Sequence, residues 1–449
     1  LPFFAFNVTI VIRKVIMGYK NENINVHKID TLCLSTDEFR NYLLDRNYND
    51  NMFKPNGEIN PKYNSSKKAT VIAQIFEDHW DSYYLENKSL IDKYRPNAND
   101  EVNKIINCYN KNLGCSVYEC PNCHDFVFVG HTCKSRFCSS CGYKYKMLRV
   151  ENILETVYNC PHRQMVFTIP DILRPYFFFP FDERIDILFK AVNLTIYSIL
   201  NDNYRSGKKN KRKKKYSKKI KYTPGFFMFL HTFGRDIKWN PHIHVLIAEI
   251  KMGGDMVYKK WDYFNYDALS KRFQKILLDL LSEELGSSFD SMKRKCFLKY
   301  PKGFYVYAEP KKFKNLKDGV EYITRYCGRP VISENRILNY DGKNVTFCYN
   351  DHKDESYHEV TCTAKEFINM LIRHMIPYNY RTIRYCGFYR KKHKNHDKMV
   401  MMINPLNHKT RKVFLTHRLS IMASFNNDPY SCPKCNTVMN YVCEIMKGG

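Results

Sequence analysis

The chain has 449 residues, 44% hydrophobic and 15% aromatic, enough for a sizeable buried core and too apolar for a disordered tail protein. Lys and Arg number 72 against 45 Asp and Glu, a formal net charge of +27. Such an excess points to a polyanionic partner, because each neutralised phosphate releases a condensed counterion. No apolar run reaches the length that spans a bilayer, and the 17 cysteines, several in close pairs, read as zinc ligands in a reducing, cytoplasmic compartment rather than as a disulfide framework.

Residues 1–16 are apolar but interrupted by Asn7, Thr9, Arg13 and Lys14, with no basic segment before them. A signal peptide is therefore not expected, and Met17 is a candidate start. Residues 17–66 are polar and without periodicity, so 1–66 reads as a flexible extension. Helical spacing occupies 68–108, as in Val71, Ile75 and Trp80 and then Val102, Ile105 and Ile106. A cysteine-dense stretch runs from Cys108 to Cys141, followed by a predicted helix over 147–157. Residues 164–169 read as a strand ending at Pro170, and 185–200 as an amphipathic helix. The basic run 208–221, which contains Lys213 and Lys214, is either a solvated loop or a contact to DNA phosphates.

Two strands are predicted over 226–233 and 242–250, joined through Gly234, Arg235, Asp236 and Asn240-Pro241, mostly turn formers. A helix over 263–285, a strand over 303–308 and a short helix over 316–327 follow, the last stopped by Gly328 and Pro330. Beyond residue 331 come strands at 345–349 and 358–363, a helix over 364–375 and a late cysteine pair. This order predicts an α+β fold with a mainly antiparallel sheet and packed helices. It divides into the extension, a helical and zinc-binding domain over 67–160, a core domain over 161–330 and a C-terminal α/β region over 331–449.

Three groups of residues carry chemistry. Cys120-Pro121-Asn122-Cys123 and Cys138-Ser139-Ser140-Cys141 are two C-x-x-C pairs, each able to present two thiolates on one side of a turn, and two such turns make a tetrahedral zinc site. Cys108, Cys133, His124 and His131 lie close enough to replace one ligand or to build a second site. Lys134, Arg136, Lys144, Lys146 and Arg149 surround the pairs and make a DNA-facing surface plausible. Cys432-Pro433-Lys434-Cys435 is half a zinc site, with Cys443 or His417 as completions, or no site at all. On a strand, His242 and His244 share one face and can grip a divalent ion, with His231 on the preceding strand as a third ligand or a neutral core residue. Tyr322 and Tyr326 share a helix face beside an apolar stripe of Leu316, Val320, Ile323 and Cys327; alone, this pair reads as core packing.

Together these features resemble the two-tyrosine HUH transposases of rolling-circle elements, the family of insertion sequence 91. The resemblance rests on the cysteine-rich knuckle, on Val166-Phe167-Thr168-Ile169-Pro170 with Leu173-Arg174-Pro175, and on His231-Thr232-Phe233-Gly234-Arg235. It continues through Asn240-Pro241-His242-Ile243-His244-Val245, the segment from Tyr322 to Tyr326 running into Gly328-Arg329-Pro330, His374-Met375-Ile376-Pro377, and the stretch from Ile383 to Phe388, so that it covers roughly 68–440. It implies an HUH-endonuclease-like core with a small N-terminal zinc-knuckle domain. It also implies a metal-dependent tyrosine endonuclease and strand transferase that cuts and rejoins single-stranded DNA at transposon ends through a 5′-phosphotyrosine. Tyr322 and Tyr326 would be the nucleophiles. His242 and His244, with a third ligand, would hold Mg²⁺ or Mn²⁺, zinc would be structural, and Arg325 would contact DNA. A rolling-circle replication initiator or relaxase, and a non-catalytic zinc-dependent DNA-binding protein, are the alternatives.

Overall fold

The computed structural model describes residues 8–13, 31–35, 70–110, 114–135, 137–139, 141–142, 153, 156–158, 160–201, 222–253, 257–307, 330–351, 354–390 and 430–447. Strand β1 (Val8–Arg13) is a β-branched run, and it pairs antiparallel with β2 (Thr31–Ser35). Helix α1 (Val71–Tyr94) starts at Thr70, whose hydroxyl accepts from the Ala73 N–H, and α2 (Ala98–Ile106) follows it. The single predicted helical stretch is broken at Arg95 because Pro96 has no N–H to continue the ladder. Strands β3 (Gly114–Glu119) and β4 (Phe126–Gly130) form a hairpin.

The central elements follow: β5 (His162–Thr168), α3 (Phe181–Leu200), β6 (Tyr222–Phe233), β7 (Trp239–Gly253), β8 (Tyr258–Lys260), α4 (Tyr266–Leu285), α5 (Asp290–Lys299) and β9 (Val306–Tyr307). Then come β10 (Ile337–Tyr340), β11 (Asn344–Asn350), β12 (Tyr357–Thr363), α6 (Ala364–Ile372), β13 (Ile383–Gly387) and β14 (Asn440–Lys447). A capping box, Thr363 with Glu366, starts α6.

The central sheet runs β13-β6-β7-β5-β9, with β8 on the end of β7, and its pairings are antiparallel. Alternation divides its faces. Met165, Phe167, Phe226, Met228, Leu230, Ile243, Val245 and Ile247 pack into one core with α3 and α4. Phe227, Phe229, Leu246 and Ala248 turn the other way, against Phe388 and Tyr389. The ion pair of half-buried Arg163 and buried Glu249, 2.6 Å, binds β5 to β7, and Arg163 also donates to the Tyr266 hydroxyl at the start of α4. A second core joins α1 and α2 to α6 and the β10-β11-β12 sheet. The fold is α+β with mixed helix and antiparallel sheet, as the sequence predicts. No described helix is long and apolar enough to cross a membrane.

The third sheet departs from expectation. Its order is β2-β1-β14-β3-β4, so residues 440–447 lie between strands from the first 130 residues. Residues 1–66 are therefore not wholly an extension: the β-branched run of β1 pairs with both β14 and β2. Likewise, 430–447 leaves the predicted region 331–449 and completes the sheet of the zinc-binding domain. The predicted helix 316–327, nearly all of the helix at 147–157 and the basic run 208–221 lie outside the described residues.

Candidate active site and metal centres

The β6–β7 hairpin places His231 directly opposite His242 in register, and period-two alternation puts His244 on the same face. The ring centroids lie 5.3 Å (His231–His242), 4.6 Å (His231–His244) and 4.9 Å (His242–His244) apart. One nitrogen from each ring lies within 4.8 Å of the others, the spacing of a shared metal ion. His242 and His244 Nε2 stand 3.1 Å apart, close to the ~3 Å between neighbouring ligands of an octahedral ion with bonds of ~2.1 Å. His231 thus joins the pair, the alternative to its being an isolated core histidine. His231 and His244 are each only 6% exposed, whereas His242 is half-buried and marks the open side of the site.

Neighbouring groups orient the rings. His242 Nδ1 is 2.7 Å from the Asn240 carbonyl, which holds the proton on Nδ1 and makes Nε2 the ligand atom. His244 Nδ1 is 3.1 Å from Gln164 Nε2 on β5, while Gln164 Oε1 is buried without a hydrogen-bond partner. Turning that amide over lets Oε1 accept from a protonated Nδ1 and commits His244 Nε2 to a metal ion. An orphaned oxygen one flip from a ligand histidine is what a metal-binding arrangement predicts, so these residues fit a divalent ion. The β6–β7 turn is itself pinned. Buried His374 bonds Thr232 Oγ1 at 3.1 Å and the Ile237 carbonyl at 2.8 Å, where Ile237 holds a left-handed φ of 61°. Gln164 is the residue that sequence reasoning missed; it stands at the polar start of β5, after His162 and Arg163, where nothing local marks it out.

The cysteines separate differently from expectation. Cys108, Cys133, Cys138 and Cys141 form one cluster, with sulfurs 3.6 Å (Cys108–Cys141) and 3.7 Å (Cys138–Cys108) apart. Cys120 and Cys123 form another with Cys432 and Cys435. The single site of Cys120, Cys123, Cys138 and Cys141 is not what the chain builds. Its two pairs sit at opposite ends of the hairpin: Cys120 and Cys123 flank the β3–β4 turn, whereas the later cysteines follow β4, a five-residue strand that spans about 17 Å. The alternates Cys108 and Cys133 complete the second pair. His131 instead pairs with Glu444 at 2.5 Å, and Cys443 is buried on β14 outside both clusters. Lys134, beside Cys133, is exposed with φ 55°. Arg136, Lys213, Lys214, Arg325, His417 and both tyrosines, Tyr322 and Tyr326, lie outside the described residues.

Residues 225–397 match a family model described as "Putative transposase", and residues 75–169 match one described as "Transposase zinc-binding domain". The first span holds the three histidines and both tyrosines, and the second holds Cys108, Cys120, Cys123, Cys133, Cys138 and Cys141. The chain is 28% identical over 370 residues to "Transposase for insertion sequence element IS801" of Pseudomonas savastanoi pv. phaseolicola, covering 77% of this chain and 83% of that protein. The chain belongs to the insertion sequence 91 family of transposases. It is also 24% identical over 345 residues to "Putative transposase y4qJ" of Sinorhizobium fredii (strain NBRC 101917 / NGR234), covering 72% of this chain and 81% of that one. No solved structure matches it. As a transposase of this family it is a DNA-processing enzyme, and its zinc-binding domain carries structural Zn²⁺.

Proposed function

We propose that this transposase nicks and rejoins single-stranded DNA at the ends of its element, in rolling-circle transposition, through a covalent 5′-phosphotyrosine formed by Tyr322 or Tyr326. The observation that carries the reading is the cluster of His231, His242 and His244 on one face of the central sheet. A divalent ion held there would stabilise negative charge developing on the scissile phosphate. His242 and His244 contribute by presenting nitrogens whose direction is set by Asn240 and Gln164. Three imidazoles suit a transition ion such as Mn²⁺ better than Mg²⁺, which favours oxygen ligands.

The tyrosine oxygen attacks phosphorus in line and loses its proton to a base or water; the P–O3′ bond breaks and a 3′-OH departs. The new phosphotyrosine ester keeps the bond energy, so a 3′-OH attacking it later rejoins the strand without ATP. Two tyrosines suit two successive transfers, one for the donor strand and one for the target. The proposed site of the structural zinc is Cys108, Cys133, Cys138 and Cys141, and Lys134, Arg136, Lys213, Lys214 and Arg325 are proposed phosphate contacts, the whole acting at the bacterial nucleoid.

Incubation with Mn²⁺ and single-stranded oligonucleotides from the element ends tests the proposal. Wild-type protein should give an SDS-stable adduct, and Tyr322→Phe/Tyr326→Phe none. An adduct that survives the double substitution removes these tyrosines from the chemistry, and a wild-type protein that binds DNA without any adduct favours the non-catalytic alternative.

A further inference from the structure

The cluster of Cys120, Cys123, Cys432 and Cys435 joins two turns of the same construction. Each reads Cys-Pro-x-Cys. In each, the carbonyl of the first cysteine accepts from the residue after the second, His124 at 3.0 Å and Asn436 at 2.9 Å. Those two residues both adopt left-handed φ, 54° and 58°. The first cysteine's N–H donates onward, Cys120 to Asp125 and Cys432 to Thr437, both at 2.9 Å. Backbone N–H groups of Asp125 and Thr437 in turn donate to the sulfurs of Cys123 and Cys435.

The turns face each other. The sulfurs are 3.4 Å (Cys120–Cys435), 3.5 Å (Cys123–Cys432) and 3.8 Å (Cys123–Cys435) apart, against the ~3.8 Å edge of a tetrahedron with zinc–sulfur bonds of ~2.3 Å. Lys434 and Asp125 form an ion pair across the junction at 2.8 Å, and Tyr118 packs between Tyr430 and Tyr441. The span matching the zinc-binding domain ends at residue 169, so it supplies only half of this ligand set.

We propose that these four thiolates bind a second zinc ion, separate from that of Cys108, Cys133, Cys138 and Cys141, and that it fastens residues 430–447 into the N-terminal zinc-binding domain. The site does not depend on the tyrosine chemistry.

The test is elemental analysis of the full chain purified in reductant, with cobalt substitution as a second readout. Wild type should carry two zinc ions. Cys432→Ser/Cys435→Ser and Cys138→Ser/Cys141→Ser should each carry one and lose about half of the thiolate-to-cobalt absorbance. Cys435→His, which keeps a donor in place if the double variant fails to fold, should retain two ions while its cobalt spectrum moves from four sulfurs to three sulfurs and one nitrogen. One ion in wild type, two ions in Cys432→Ser/Cys435→Ser, or an unmoved Cys435→His spectrum would each overturn the proposal.

Discussion

Gln164 lies among Met165, Val166 and Phe167 on β5, 7% exposed, with its amide against His244 Nδ1. A ligand histidine whose second nitrogen is held gains basicity and a fixed direction, and losing such a partner typically costs 10–100-fold in metal affinity. Gln164→Leu should therefore raise the Mn²⁺ concentration for half-maximal adduct formation by about that factor with little change in melting temperature, whereas Gln164→Glu, which keeps an acceptor, should not. Equal Mn²⁺ titrations for Gln164→Leu and wild type would remove the positioning role. The partnership was hidden in the sequence because it crosses strands. Only the register that sets Thr168 against His242 and Val166 against His244 brings Gln164 diagonally within reach.

At the scale of elements, β5 is held at its start by His162, whose ring bonds the Cys160 carbonyl and the Tyr389 hydroxyl, each at 2.7 Å. Burial pushes its pKa down from 6.5 to about 4. The folded state keeps this ring neutral while the unfolded chain binds a proton below pH 6.5, so its stabilising contribution is present above that value and is lost as pH falls towards 4. The loss amounts to about 3 kcal/mol. Denaturant titrations from pH 7 to pH 4 should show wild type losing more stability than His162→Gln by that order; parallel curves would contradict the assignment.

The core strands were readable because they are long, apolar and bounded by turn formers, as from Phe226 to Ile250. The metal pairings were less so. The seven cysteines from Cys108 to Cys141 allow several foursomes, and β4, by sending the chain to the other end of the hairpin, selects among them. Nothing in local spacing couples Cys120 to Cys435, since that contact depends on β14 pairing with β3.

For the molecule as a whole, Arg95 joins the helical region to the core of the central sheet. It is 2% exposed, donates to the carbonyls of Arg373 and Tyr94, and stacks on Phe178 at 4.6 Å. Burial lowers its pKa to about 10, so it stays charged at neutral pH. Arg95→Lys loses the planar fork and leaves a buried carbonyl poorly served, at a cost of about 2–3 kcal/mol in chemical denaturation. Arg373→Ala, which keeps the carbonyl that Arg95 uses, should stay within about 0.5 kcal/mol of wild type. Equal losses in the two variants would show that Arg95 is not the fastening.

The place of β14 has a consequence for synthesis. Cys123 and Cys432 are 309 positions apart, and at about 5–20 residues per second the ribosome needs roughly 15–60 s to make the stretch between them. During that interval the β3–β4 hairpin waits with an unpaired edge and half of a thiolate set. The strands bearing the three histidines have all emerged by then. Closure of the zinc-domain sheet is thus a late event, and a nascent chain arrested anywhere before residue 440 lacks its middle strand.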